Sequence, residues 1–256
     1  MFHIACQTIV YGNPVIKTEY ARILKNIAQN GYEGVETGAR HFYMDRPAYY
    51  QELLAENKLK MAAIHVGGDF LNPDSVQSQL DSIQETVQFA KRLNCPALYL
   101  SGCYRENKTD EDYLREAKAY TRIGQMCLDG GLVLCYHNHD WEIKDQLRGM
   151  KLLLDSIDPS LMKLVPDVGW VTVGGADAVE FLQNHLDRVH ALHFKDFTVD
   201  RSFTELGTGI VPFGRVHQFM KEHKDGLWIS AEQDQATHTP EESSRINHDY
   251  IANLIS

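Results

Sequence analysis

The sequence has no apolar run approaching the roughly 18 residues that a membrane span needs, and its first residues, MFHIACQTIV, carry neither a basic stretch nor a cleavage site. That segment reads as a first strand rather than a signal peptide. Cysteine is sparse and unpaired in pattern: Cys6, Cys95, Cys103, Cys127 and Cys135 are scattered, odd in number and form no CxxC. They read as thiols of a reducing compartment, so the expectation is a cytoplasmic protein with no membrane partner. Basic residues are outnumbered, 25 Lys and Arg against 35 Asp and Glu, for a formal net charge of -10. A field of that sign repels phosphate backbones and argues against nucleic acid as a general partner. Linkers, repeats and low-complexity stretches are lacking. So are the phosphate loops GxGxxG and GxxxxGK(S/T) after the first strand; Gly207 and Gly209 come late in the chain and are weak evidence by themselves.

What is present is 256 residues, 43% hydrophobic and 23% charged, enough for one substantial core. A unit recurs: a short apolar run, a turn, then a helical pattern. The runs are His3–Val10, Gly34–Thr37, Met61–Val66, Ala97–Leu100, Leu132–His137, Lys163–Val168, Val189–Phe194 and Leu227–Ala231. Between them, Tyr20, Ile23, Leu24 and Ile27 recur at helical spacing, as do Val76, Leu80, Ile83, Val87 and Ala90. Further helices are expected over Asp110–Leu128, Gln146–Ile157, Ala176–Leu186 and Pro240–Leu254. Eight strands alternating with helices in about 250 residues predict an α/β fold, a single (β/α)₈ barrel (a TIM barrel) forming one domain over residues 1–256.

Chemistry in such barrels sits at the C-terminal ends of the strands. Those ends hold Glu36, His65, His137-Asn138-His139, Asp167, His193 with Lys195, and Glu232, while the strand interiors are otherwise apolar. Carboxylates and imidazoles converging from five or more strands are costly to bury unless they bind a cation or a polar substrate. In CYHNHDWE (residues 135–142), the period of two aims His137 and His139 the same way, and Glu142 follows once the chain has left the strand. Asp167 at a strand end also suits an N-cap. Lys195 reads either as a solvated rim charge or as an ammonium that holds a substrate oxygen. Two carboxylates, an imidazole and one further carboxylate or imidazole suit Mn²⁺, Co²⁺, Mg²⁺ or Zn²⁺. Such an ion holds vicinal substrate oxygens and stabilises an enediolate, from which epimerisation, isomerisation or dehydration follows.

The order CYHNHDWE, PDVGW with VGGAD, RVHALHFKD, ELGTGIVPF and WISAEQD resembles the xylose isomerase-like TIM-barrel superfamily. Within it, the sequence is similar to the sugar phosphate isomerase/epimerase group, which contains inosose dehydratases and isomerases and ketose 3-epimerases. The resemblance implies one divalent metal, Mn²⁺ or Co²⁺, held by Glu142, Asp167, His193 and Glu232. In ketose 3-epimerases the first of these glutamates ends strand five, nearer Tyr136 or His137 here, so His137 competes with Glu142. The resemblance further implies Glu232, Glu142 and His139 as acid/base groups, and His65, His137, Lys195 and Trp170 against a sugar or cyclitol substrate. Many members associate as dimers or tetramers, and no stripe in this sequence marks such a contact.

The leading expectation is therefore a metal-dependent isomerase, epimerase or dehydratase acting on a keto-sugar, 3-keto-glycoside or inosose. Two rivals are a metal hydrolase, since HxH also opens the amidohydrolase site, and a non-catalytic sugar-binding barrel. The hydrolase motif normally follows the first barrel strand, and apurinic endonucleases carry an extra His where Trp170 stands. Substrate identity rests with the loops after strands one to three, where Tyr11, His41, Phe42 and Tyr43 lie.

Overall fold

Apolar runs become parallel strands when both faces are covered, and that is their fate here. The computed structural model describes residues 1–224 and 226–256. Its strands are β1 (His3–Gln7), β2 (Gly34–Gly38), β3 (Lys60–Gly67), β4 (Ala97–Ser101), β5 (Val133–His137), β6 (Lys163–Leu164), β7 (Leu192–Phe194), β8 (Asp196–Phe197), β9 (Phe203–Thr204) and β10 (Trp228–Ala231). Eight of them form one parallel sheet in the order β6-β5-β4-β3-β2-β1-β10-β7, and β8 and β9 make a small antiparallel ribbon. The sheet's two edges meet: Leu164 bridges Val189 and Asp167 bridges His193, with His193 N–H donating to Pro166 O at 2.9 Å. The sheet is thus a closed (β/α)₈ barrel, as the alternation predicted.

Around it lie α1 (Asn13–Ile16), α2 (Tyr20–Gln29), α3 (Pro47–Glu56), α4 (Val76–Arg92), α5 (Asp110–Gly130), α6 (Asp140–Ser156), α7 (Val168–Val173), α8 (Ala178–Asn184), α9 (Phe213–His223) and α10 (Pro240–Ile255). α2 shows why they dock. Tyr20, Ile23, Leu24 and Ile27 share one face and are all buried, each contributing about 1.5–3 kcal/mol. α5 begins on a reciprocal cap, Thr109 with Asp112, and ends at Gly131, whose φ of 77° suits the left-handed turn. Among the described residues no helix is long and apolar enough to cross a membrane. The five cysteines are free thiols, four of them buried.

The outward residues of the strands, such as Leu98, Leu100, Leu134, Leu192 and Phe194, pack into the main core under the helices. A second, separate cluster fills the barrel itself: Ala63, Ala97, Tyr99, Cys135, Val165 and Ala191, with Val133 and Trp228 against it. Small residues face large ones there because eight strands leave little room. Gly34 shows the tightness, since a Cβ on it would lie 2.7 Å from the Trp228 ring.

Several boundaries differ from expectation. β1 stops at Gln7, because the Gln7 side-chain oxygen accepts from Ile9 N–H and turns residues 8–11 into a short 3-10 helix. α6 starts at Asp140 rather than Gln146, but its run is broken at residues 144–147, where Asp145, Gln146 and Leu147 have positive φ. α3 and α9 were not anticipated; Tyr50, Leu53 and Leu54 anchor the first, and Phe213, Val216, His217 and Met220 the second.

Candidate active site

Each inward series runs on by two residues into a polar one: Gly34 to Glu36, Ala63 to His65, Tyr99 to Ser101, Cys135 to His137, Val165 to Asp167, Ala191 to His193, Ser230 to Glu232. The register pairs Ser101 directly with His137, while Glu36 lies beside Ala63, one inward step before His65. Period-two geometry therefore carries the polar groups to one end of the barrel, where Glu36, His137, Asp167, His193 and Glu232 are buried and His65 and Ser101 half-buried.

One donor atom each from His137, Asp167, His193 and Glu232 lies within 4.8 Å of the others. Glu232 Oε2 stands 2.5 Å from His193 Nδ1 and 3.1 Å from His137 Nε2. Asp167 Oδ2 is 3.4 Å from His137 Nε2 and has no hydrogen-bond partner, although it is buried. It faces the Lys195 ammonium at 3.6 Å as well, and with no hydrogen bond made it keeps lone pairs free for a further cation. Donors around a divalent ion at about 2.0–2.2 Å stand on the order of 3–4 Å apart, a range that these atoms, from 2.5 Å to within 4.8 Å of one another, bracket. The donor set thus fits a divalent cation.

The far sides of both imidazoles are held. His193 Nε2 meets Glu36 Oε2 at 2.7 Å, and Glu36 Oε1 meets His65 Nδ1 at 3.1 Å. His65 Nε2 contacts Ser101 Oγ at 2.8 Å, which in turn lies 3.3 Å from His137 Nδ1. A carboxylate behind a ligating imidazole fixes its orientation and makes it a better donor. Burial alone would raise the Glu36 carboxyl, but His193 and His65 hold it at about 2. Burial likewise disfavours charge on His193, yet Glu36 and Glu232 lift it to about 10.

Lys195 is fully buried and pairs with Asp234 at 2.7 Å, Glu232 Oε1 at 3.2 Å and Asp167 Oδ2 at 3.6 Å. These acids overcome the desolvation that would lower it, and it remains an ammonium. Trp170 lies beside it, with Lys195 Nζ 5.1 Å from the ring centroid. Asp167 serves two ends at once. Its Oδ1 caps α7 by accepting from Trp170 N–H at 2.9 Å, which frees Oδ2 for the cluster. Asn138 explains why the strand can end early: its side-chain amide pairs with both the N–H and the C=O of Asp167, prolonging the β5–β6 ladder past Leu164.

A cleft of about 620 Å³ opens onto this cluster, with His65, His137, His139, Glu232 and Asp234 on its wall. His139 stacks on Trp141 with ring centroids 4.1 Å apart, and its Nδ1 is buried without a partner. Burial, with His137 and Lys195 nearby, holds it well below the usual imidazole range, so it is neutral.

Of the residues expected from the sequence, His137, Asp167, His193, Glu232 and Lys195 come together, and His139 and Trp170 border them. Glu142 does not join. It is the third residue of α6, where its Oε2 accepts from His139 N–H at 2.7 Å and its Oε1 from the Tyr136 hydroxyl at 2.8 Å. The helix start at Asp140 turns it away from the cleft, so a ligand or catalytic role at the cluster is not supported, and His137 takes its place in the donor set. His65 reaches the cleft, but both of its nitrogens are already paired. The sequence reading missed Ser101 and gave Glu36 and Asn138 only as strand-end residues, without a role. A strand-end Ser is ordinary in sequence; only register reveals its neighbours. The glycines of the 205–213 loop are structural: Asp196 accepts from the N–H groups of Gly207, Gly209 and Val211, and a Cβ at residue 209 would lie 2.3 Å from the Asp196 carboxylate.

Residues 24–254 match the model of the xylose isomerase-like TIM barrel family. An inosose dehydratase of Bacillus velezensis (strain DSM 23117 / BGSC 10A6 / LMG 26770 / FZB42) is 23% identical over 262 residues, covering 90% of this chain and 87% of its own. A sugar phosphate isomerase/epimerase from Parabacteroides distasonis ATCC 8503 superposes with a TM-score of 0.83 at 19% identity over 99% of both chains. A D-allulose 3-epimerase from Methylomonas sp. does so with 0.81 at 15% identity, over 99% of this chain and 98% of that one. With a closed parallel barrel and a family match over nine-tenths of its length, the chain belongs to the xylose isomerase-like TIM-barrel family.

Proposed function

We propose that residues 1–256 form one barrel domain of a cytoplasmic, divalent-metal-dependent enzyme that enolises a keto-sugar, 3-keto-glycoside or inosose. Expulsion of water is the outcome we favour. The convergence of His137, Asp167, His193 and Glu232 from four successive barrel strands, beside a buried ammonium, carries this reading. The curated relatives that match along nine-tenths of the chain bear the name inosose dehydratase, which supports dehydration over the alternatives. Those four side chains would hold the ion. When bound, it supplies a Lewis acid that offsets negative charge growing on a substrate carbonyl oxygen. Two imidazoles beside two carboxylates suit Mn²⁺, Co²⁺ or Zn²⁺ better than Mg²⁺, and we take Mn²⁺ or Co²⁺.

The rest is done by the chain's own groups. Glu232 and His139 both line the cleft and can take a proton from the carbon next to the carbonyl. Burial opposes ionisation of Glu232, but Lys195, His137 and His193 hold it well below the usual range, and burial keeps His139 neutral, so each enters the reaction unprotonated and able to accept a proton. The proton taken by His139 or Glu232 passes to the departing β-hydroxyl, and a β-hydroxyketone becomes an enone plus water. Lys195, fixed by three carboxylates, adds positive charge on the oxygen side, and the Trp170 ring covers it. Proton return to the same carbon from the other face would give epimerisation instead.

The test is incubation with Mn²⁺ in deuterated water and a panel of inososes, ketoses and 3-keto-glycosides, followed by proton NMR. Loss of the α-proton signal together with a new vinyl signal is the expected result. Exchange without a vinyl signal assigns epimerisation. No exchange across the panel in metal-loaded protein overturns the reading.

A further inference from the structure

The cleft is bipolar, and its second pole is unaccounted for. Beyond the acidic cluster, its wall includes the turn after α1 and the segment after β2, which bring Lys17, Arg40 and His41 to the same cavity as Glu232 and His137. The three groups are neighbours. Asn13 Oδ1 lies 2.6 Å from Arg40 Nη2 and 3.1 Å from His41 Nε2, and Lys17 follows within one turn. Among the described residues, neither Lys17 nor Arg40 has a carboxylate partner: Arg40 donates to the neutral Asn13, and Lys17 Nζ sits 4.4 Å from the Tyr43 ring centroid. In a chain with ten more acids than bases, two unpaired cations on a binding-site wall run against the background. Their field is felt locally. Burial first, then Arg40 and Lys17, push His41 down to about 4, so the corner offers a neutral imidazole flanked by two cations.

We propose that Lys17 and Arg40 form a subsite for an oxyanion substituent, a carboxylate or a phosphate, on the substrate whose carbonyl end meets the metal-type cluster. The assignment rests on the cleft being the substrate site, and it narrows the substrate class from neutral ketoses and cyclitols to acidic ones. A guanidinium and an ammonium on one wall are a recurrent way to bind such groups, the first through its planar fork and the second as a point charge. Neutral hydroxyls need no such pair.

Isothermal titration of the full chain in the presence of Mn²⁺ reads the subsite without catalysis. The probes are D-glucitol, D-gluconate and D-glucitol 6-phosphate, the same carbon chain bearing no charge, a carboxylate or a phosphate. At least one anion is expected to bind tenfold or more tightly than glucitol, and which one does so identifies the group. In the Lys17→Gln/Arg40→Gln double variant that ratio should fall to near one, with an unchanged circular dichroism spectrum. Equal affinities for all three probes, no binding by any of them, or a ratio that survives in the double variant overturns the subsite; survival would mean that the anions simply chelate the ion. A protein that prefers the anions yet exchanges no α-proton keeps the subsite and loses the enolisation reading. Exchange with neutral ketoses and no anion preference has the opposite meaning.

Discussion

Glu36 has no exposed surface and two imidazole partners, so it connects His193 directly, and His137 through His65 and Ser101, to one fixed carboxylate. Glu36→Gln retains the shape but weakens the acceptor behind His193. Removing such support typically costs 10–100-fold in metal affinity, and we expect a loss of that size for Mn²⁺ by calorimetric titration. Glu142 makes a different prediction because it lies outside the cluster. Burial pushes its carboxyl up to about 7, against the pull of the His139 N–H and the Tyr136 hydroxyl. The folded chain then keeps a proton that the unfolded chain has shed above about 4.5, so stability falls as pH rises from about 4.5 to about 7. The fall is on the order of 3 kcal/mol. Glu142→Gln should flatten it, which urea melts at pH 5 and pH 8 will show; an unchanged slope would assign the pH dependence elsewhere.

The elements matter through where they stop. β6 is only two residues long as a regular strand, yet Asn138 continues its pairing and α7 begins at once on the Asp167 cap. A longer strand or a later helix would aim Asp167 differently. The segment after β9 shows the same dependence on its anchor. Buried Glu205 accepts from Ser243 Oγ, Thr237 and Gln233, tying the loop before α9 to the segment after β10 and to the start of α10. Burial would raise its carboxyl, but these donors hold it at about 2. Its stabilisation is fully present above the unfolded value of about 4.5 and is lost as pH falls toward 2. Glu205→Gln should cost on the order of 3 kcal/mol at pH 7 and far less at pH 2, a difference measurable in denaturant melts.

At the scale of the molecule, the cluster lies on the seam. The closing bridge joins Asp167 to His193, two of the four donors, and neighbouring β10 ends at a third, Glu232, whose N–H donates to Phe194 O at 3.0 Å. A cation held by these donors would tie the β5, β6, β7 and β10 sides of the barrel together and would bind the folded chain alone. At 100 times its dissociation constant it adds about 2.7 kcal/mol, or roughly 5–10 °C in Tm for a chain of this length. Mn²⁺ should therefore raise the melting temperature of the native chain, and not that of Asp167→Ala. Equal shifts in both would place the binding elsewhere.

How much of this is legible without coordinates depends on periodicity. Alternation of apolar runs with helical faces identifies the barrel, because burial on both faces of a parallel sheet leaves a signal in every strand. Extending each inward series by two residues names Glu36, His65, His137, Asp167, His193 and Glu232, since side-chain direction along a strand is a local property. Lys195 and His139 follow from the same local spacing. Glu142 against His137 is not local: both lie in one eight-residue stretch, and the choice turns on where β5 gives way to α6 and on which oxygens the helix start consumes. Nor is the pairing of Ser101 with two histidines, or the meeting of Lys17 and Arg40 on the wall of the cleft that Glu232 also lines. The sequence by itself determined the architecture and the end of the barrel where polar groups gather, because hydrophobic period and strand direction are written residue by residue. Only the tertiary structure decided which of those groups share one point in space, because distances between strands are set by register and closure, to which no single segment holds the key.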